Sequence, residues 1–205
     1  MVTLNIFELI EKRRSLGRMR PEAPPRELIE RLLAAAVHAP NHHNTQPWRF
    51  FVLTGDARAE FGSVLAEALR HRLGPDVDAA KLEPLLAGER AKPLRSPVVI
   101  VVGVVTDKTN RMTAREDLQA ASAAISNLLL AAETLGLAAI WRTGDGAYDD
   151  AVKPYFGLAP EDQIAGVVYV GYADPNAGSI EPRRREFASK TEWRGNGLSG
   201  VTSNK

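Results

Sequence analysis

Cysteine is absent from the sequence. A disulfide framework, a zinc–thiolate cluster, an iron–sulfur centre and a cysteine nucleophile are therefore excluded, and the expected compartment is a reducing cytoplasm. Charge of one sign is also missing: 26 Lys and Arg face 25 Asp and Glu. A surface built to condense on nucleic acid is strongly basic, so no nucleic-acid partner is expected. Long apolar runs are missing too. The purest, Val98 to Val105, suits a buried strand and falls far short of the about 20 residues that span a bilayer, so no membrane partner is expected. Glu8 and Glu11 arrive before any such run, so the N-terminus does not read as a secretory signal. Three glycine signatures are not found: GxGxxG of dinucleotide folds, the Gly-rich Lys-Ser/Thr loop of phosphoryl transfer, and the Gly-x-Ser-x-Gly elbow of serine hydrolases.

What is present is an ordinary globular composition, 205 residues with 44% hydrophobic. We expect a single domain over residues 1–205, with a variable middle segment at 65–97 and an extended basic tail at 173–205. From Glu181 onward the chain has six Lys or Arg against three Glu. Apolar spacing predicts a first helix from Thr3 to Lys12, and a second opened by Pro25 that ends near His38-Ala39, before Pro40. Asn41 to Pro47 is a polar loop leading into a strand, Arg49 to Thr54. Asp56 can cap a third helix, and 76–92 reads as helix broken by Pro84 and Gly88. A strand at Val98–Val105 precedes a long helix, Thr113–Leu135, rich in Ala and Ser and suited to a core or subunit contact. Then come a strand at Ala138–Arg142, a turn at Thr143–Gly146, a short helix at Asp149–Phe156 and a strand at Ile164–Tyr172. Strand and helix do not alternate in the first quarter, so an α+β fold with a mixed, mainly antiparallel sheet flanked by helices is expected.

Three stretches bear chemistry. Arg13-Arg14-Ser15 offers two guanidinium forks and a hydroxyl, the groups that grip a phosphate monoester; equally, cations there complement a helix C-terminus. Pro40-Asn41-His42-His43-Asn44-Thr45-Gln46-Pro47 crowds donors and acceptors between prolines, fit for the edge of a flat heterocycle or for capping neighbouring backbone. His38, His42 and His43 fall close together, but Pro40 intervenes and no carboxylate completes a ligand set, so no metal is expected. Trp141-Arg142-Thr143-Gly144 ends an apolar strand, where Arg142 either meets an anion or reaches solvent. The residues alone point to a phosphorylated planar ligand and no further.

The chain resembles the nitroreductase family of FMN-dependent oxidoreductases, in particular a short bacterial branch. Arg13-Arg14-Ser15 followed by Ala39-Pro40-x-x-x-Asn44-x-Gln46-Pro47-Trp48 matches the family's N-terminal pattern in order and spacing, and Gly136 to Gly144 resembles the branch. The resemblance implies a homodimer with FMN at the subunit interface and NADH or NADPH as electron donor. Arg13, Arg14 and Ser15 would hold the ribityl phosphate, with Arg194 or one of Arg183 to Arg185 added from the tail. Pro40, Asn41, His42 and Asn44 would come from the partner subunit, and Trp141, Arg142 and Thr143 would line the flavin. Two positions depart from the pattern: Gly17 stands where many relatives carry a basic residue, and His38 where the branch can carry Arg. The implied reaction needs no catalytic side chain. Hydride passes from nicotinamide through flavin N5 to a small aromatic, nitro or quinone-type acceptor by a ping-pong mechanism. In this scheme a backbone N–H near Thr143-Gly144 meets N5, and Arg13 or Arg14 puts positive charge near the pyrimidine end. The same fold also admits reductive dehalogenation, flavin breakdown or non-enzymatic flavin binding.

Overall fold

The computed structural model of the protein describes residues 5–106, 113–178 and 183–194. Seven buried positions in a row, Val98–Val104, form the strand β2 at the heart of the sheet, and such a run is stable only with both faces covered. On one side β2 pairs with β1 (Trp48–Leu53), on the other with β4 (Gln163–Gly171), which in turn pairs with β3 (Ala138–Arg142). Every strand pair is antiparallel, in the order β1-β2-β4-β3. The α+β class therefore holds. Parallel pairing among the described residues is confined to one bridge, Ser15 to Ala139.

Alternation along the strands divides the core in two. Val98, Ile100, Val102, Val104, Ala139, Val168 and Val170 face α2 (Arg26–Ala36) and the long helix α5 (Thr113–Thr134). Val99, Val101, Val167 and Tyr169 face α3 (Ala57–Leu73) and the 3-10 turn Asp150–Phe156. The small residues Ala121, Ala124 and Ala132 are fully buried, which lets α5 lie close on the sheet and on α2.

Element ends and two interiors differ from the sequence reading. Helix α1 (Ile6–Lys12) starts at Asn5, whose side chain accepts from the Phe7 amide at 3.1 Å; residues 3–4 of the expected helix lie outside the described residues. Helix α2 stops at Ala36, ahead of the expected His38-Ala39 end. Asp56 precedes α3 but caps it through its backbone carbonyl, not its side chain. The expected break at Pro84 and Gly88 does not occur. Helix α4 (Ala79–Ala91) runs through both, capped by the Asp78 side chain and pressed against α3, so packing offsets the hydrogen bond that Pro84 removes. A Cβ on Gly62 of α3 would lie 2.3 Å from the Arg90 carbonyl oxygen of α4, a close approach only glycine permits. Where a turn was expected, a short helix α6 (Asp145–Tyr148) follows β3; the short helix expected at Asp149–Phe156 is present as a 3-10 helix, Asp150–Phe156. No helix among the described residues is long and apolar enough to cross a membrane.

Candidate functional site

Beyond α1 the chain straightens and lies along the free edge of β3. The Leu16 amide donates to the Ala139 carbonyl at 3.1 Å, and farther on the Arg20 amide donates to Tyr172 at 2.9 Å. This edge contact brings Arg13-Arg14-Ser15 beside Trp141-Arg142-Thr143, two stretches more than 120 positions apart in sequence. At the near end Arg13, Glu11, Ile10, Ser126, Leu130 and Arg184 surround a depression of about 600 Å³. Arg13 Nη1 stands 3.4 Å from Ser15 Oγ. Arg14 differs from its neighbour: its Nη1 donates to the Glu11 and Arg13 carbonyls, which is the helix-closing role.

At the far end a cavity of about 450 Å³ opens on the α3 face, bounded by Gly17, Arg142, Thr143 and Gly144 and by side chains from α3, α4 and β4. The size lies within the range of small-ligand sites. Ile140 and Arg142 point to this face because Ala139 and Trp141 point to the other. Trp141 is held by its indole N–H, which donates to the Ala165 carbonyl at 3.2 Å, over Gly166, where any Cβ would strike the indole. A Cβ on Gly17 would be in contact with Arg142 Nη2, at 3.4 Å, so Gly17 lies directly beside the Arg142 guanidinium. Gly144 has φ 117°, a geometry that turns the chain sharply into α6.

The sequence reading singled out no residue on the cavity's α3–α4 wall. Arg72, Glu89, Lys92 and Arg95 line it, all from the segment that had no readable motif. Two of the cations are matched: Arg72 pairs with Asp149 and Lys92 with Glu89. Among the described residues, Arg95 and Arg142 have no carboxylate partner. Tyr169 completes the floor, its phenol pushed up from the ordinary value, chiefly by burial, with Glu89 adding to the rise and Arg95 and Arg142 opposing it. The available sequence signal was slight: one tyrosine in an otherwise aliphatic strand, and a Glu–Lys pair three apart on a helix.

The polar loop lies elsewhere on the same chain. His42–Asn44 forms a 3-10 turn with His43 and Asn44 at positive φ, and it packs on the start of α5. Thr45 Oγ1 donates to Asp117 Oδ1 at 2.8 Å, His42 Nε2 sits 3.8 Å from Glu116, and Asn41 Oδ1 accepts from the Gln46 amide at 3.0 Å. Pro40, His42 and Asn44 are exposed, as is His38. No group of three or more potential metal ligands occurs among the described residues. Arg194 is exposed and pairs with Glu192 at 3.0 Å; the tail cation that lines the depression with Arg13 is Arg184.

The family model for nitroreductases matches residues 10–172, which takes in both arginine stretches, the polar loop and the whole sheet. The chain belongs to the nitroreductase family. A relative in Escherichia coli (strain K12), provisionally named NAD(P)H nitroreductase YdjA, is 30% identical over 168 residues, covering 82% of this chain and 88% of its own length. The crystal structure of a nitroreductase-like protein from Bacillus cereus superposes with a TM-score of 0.81 at 25% identity, over 96% of this chain and 99% of that one. A nitroreductase homologue from Desulfovibrio desulfuricans, solved in complex with FMN, gives 0.68 at 28% identity over 95% and 99%. The nitroreductase pattern thus extends beyond motifs to the order and pairing of the strands.

Proposed function

We propose that the chain is an FMN-dependent oxidoreductase that takes hydride from NADH or NADPH and delivers it to a small aromatic, nitro or quinone-type acceptor, by a ping-pong cycle in a cytoplasmic homodimer. One observation carries the reading: a depression at Arg13 and Arg184 and a polar cavity at Gly17 and Arg142 lie at the two ends of one segment paired to β3. Fully extended, Arg13 to Gly17 spans at most about 13 Å, a length suited to a ligand with phosphate at one end and a flat ring at the other. The donor chemistry fits FMN. Arg13, Ser15 and Arg184 offer charge-assisted hydrogen bonds to a phosphate. Bound flavin would supply the two-electron relay between nicotinamide and acceptor, which side chains cannot provide.

The remaining tasks belong to this chain. Arg142 sets a guanidinium without a carboxylate partner against the ring pocket, where it favours electron density on the ring oxygens. We assign a backbone N–H of Thr143 or Gly144 the hydrogen bond to flavin N5; the turn at Gly144 points backbone at the cavity mouth. Trp141, braced on Ala165, fixes the strand from which these groups project.

A second copy of the chain completes the site in this reading. Helix α1 buries none of its residues, and Ile6, Phe7 and Ile10 are 53%, 70% and 52% exposed. Phe187 and Trp193 of the tail are 71% and 70% exposed. Apolar side chains this open ask for a cover. Within one chain, moreover, the loop at His42–Asn44 meets α5 at Glu116 and Asp117, whereas Arg13 shares its depression with Ser126, about 13 Å farther along the helix axis. That separation agrees with the role the family resemblance implies, in which Pro40, Asn41, His42 and Asn44 serve the partner's flavin.

The test is a visible absorption spectrum of purified protein, with the released chromophore identified by mass, followed by anaerobic NADPH or NADH. Near-stoichiometric FMN that bleaches on addition is expected. A colourless protein that cannot be reconstituted with FMN would falsify the reading.

A further inference from the structure

One buried polar atom in the cavity has no partner. Glu89, at the end of α4, gives Oε1 to the Lys92 ammonium, while its Oε2 is buried with no hydrogen-bond donor. The side chain is only 12% exposed, so water does not freely supply one. Oε2 faces α6, 3.9 Å from where a Cβ on Gly146 would sit, on the wall of the cavity that Arg95, Arg142 and Tyr169 also line. A buried carboxylate oxygen left without a donor is costly, and a ligand N–H placed against it removes that cost. Around the carboxylate stand groups of the opposite kind: the Lys92 ammonium and the Arg142 and Arg95 guanidinia, which donate only.

The cavity thus presents one buried carboxylate acceptor among donors, and its complement is a planar edge with one N–H between two carbonyls. Taking FMN as the ligand, on which this step rests, oxidised flavin has one such edge: the imide of the pyrimidine ring, C2=O, N3–H and C4=O. The ribityl hydroxyls lead away toward phosphate at Arg13. We infer that Glu89 is a flavin-positioning residue that accepts the N3–H hydrogen bond, with Lys92 and Arg142 facing the flanking carbonyls. Its Oε1 is taken up by the Lys92 ammonium, which leaves the buried Oε2 to accept from the ligand. No other residue of the cavity wall offers a carboxylate in this state. Asp145 also lines the cavity but is exposed at its mouth.

The decisive experiment compares FMN with N3-methyl-FMN, in which the donor is gone, by quenching of flavin fluorescence on the apo-protein. Wild-type protein is expected to bind FMN at least about tenfold more tightly than the methylated analogue. Glu89→Ala is expected to lose about tenfold or more in FMN affinity and to bind the two flavins within about threefold of each other. Where Glu89→Ala does not melt cooperatively, Glu89→Leu, which fills the same space, takes its place with the same expectation. Equal binding of both flavins by the wild type overturns the assignment, as does a variant that keeps the wild-type preference. A variant that binds FMN normally but needs more NADPH also overturns it, because the orphan oxygen then serves the nicotinamide amide. Failure of the wild type to bind either flavin is a different result, and overturns the FMN reading itself.

Discussion

The two faces of the sheet are built from the same strands and do opposite work. Under α5 and α2, Ala121, Ala124, Leu128 and Ala132 meet Val98, Ile100 and Val102 with no exposure at all beyond 1%. On the α3 side the packing is as tight around Phe61, Val99 and Val101, but toward β3 it opens into a cavity with charged walls and an orphan carboxylate oxygen. Close packing on the first face supplies stability enough for the second to keep an open cavity with charged walls. The division also explains why the edge strand, and not the central one, carries the site: β3 is reached by Arg13–Gly17 from outside the sheet and by α6 from its own end.

The sharpest way to break the comparison is to cut into each face equally. Leu128→Ala on the sealed face is expected to cost about 2–5 kcal/mol, because α5 cannot collapse onto the hole. Leu69→Ala, in the wall of the existing cavity, should cost roughly half of that or less, since its side chain is already only half-buried. Chemical denaturation of both variants decides it, and equal losses would mean that the two faces do not differ as described.

Next in size is Arg13→Ala, expected to weaken FMN retention about 10- to 100-fold, the worth of a charge-assisted phosphate contact. Arg14→Ala should do markedly less to the flavin and more to α1, since Arg14 Nη1 is given to the Glu11 and Arg13 carbonyls. Flavin titrations of the two variants separate a binding arginine from a helix-closing one. Gly62→Ala comes third. Its Cβ would enter the space of the Arg90 carbonyl, forcing α3 from α4 at a cost of about 1–3 kcal/mol and displacing Glu89 one residue away. Lower thermal stability together with weaker flavin binding is expected, and a loss of stability with flavin affinity intact would uncouple the α3–α4 contact from the site.

How much of this was legible in the residues follows from what each signal depends on. Alternation and burial depend on neighbours in sequence, so β2, β3 and the small-residue helix α5 were readable within a residue or so of their ends. Arg13, Ser15 and Arg142 stood out because their types and spacing suit a ligand, and the fold brings their two stretches side by side. The cavity wall was not. Glu89 and Lys92 look like any exposed helical ion pair three residues apart, and they come to line the candidate site only because α4, packed on α3, carries them to the cavity wall. Pro84 misled for the same reason: its local penalty is real, but a helix held by a neighbour through Gly62 tolerates it. That Arg184, and not Arg194, lines the depression with Arg13 likewise depends on where the tail lies, which composition does not encode.

The smallest expected effect concerns pH and again falls on the cavity face. Tyr169 has its phenol pKa raised, first by burial and then by Glu89, against the pull of Arg95 and Arg142. A phenol that is harder to ionise when folded holds its proton through a window where the unfolded chain has released it. That window opens near the ordinary tyrosine value of about 10 and extends upward to the raised value. Within it the folded state binds more protons than the unfolded, so stability falls as pH rises; below it Tyr169 contributes no slope. Tyr155, raised by burial and by Glu60, whose Oε2 lies 3.3 Å from its hydroxyl, adds in the same direction from the exposed side of α3. Tyr169→Phe should therefore flatten the alkaline decline in melting temperature while leaving the curve between pH 6 and pH 9 unchanged in slope. Because the phenol floors the cavity, saturating FMN should deepen its burial and steepen the wild-type decline, and should do so far less in Tyr169→Phe. Melting curves of both proteins across pH 9 to pH 11, with and without FMN, test the point. An alkaline slope that is identical in the two proteins would assign the decline to Tyr155 and leave the buried face without a titrating group.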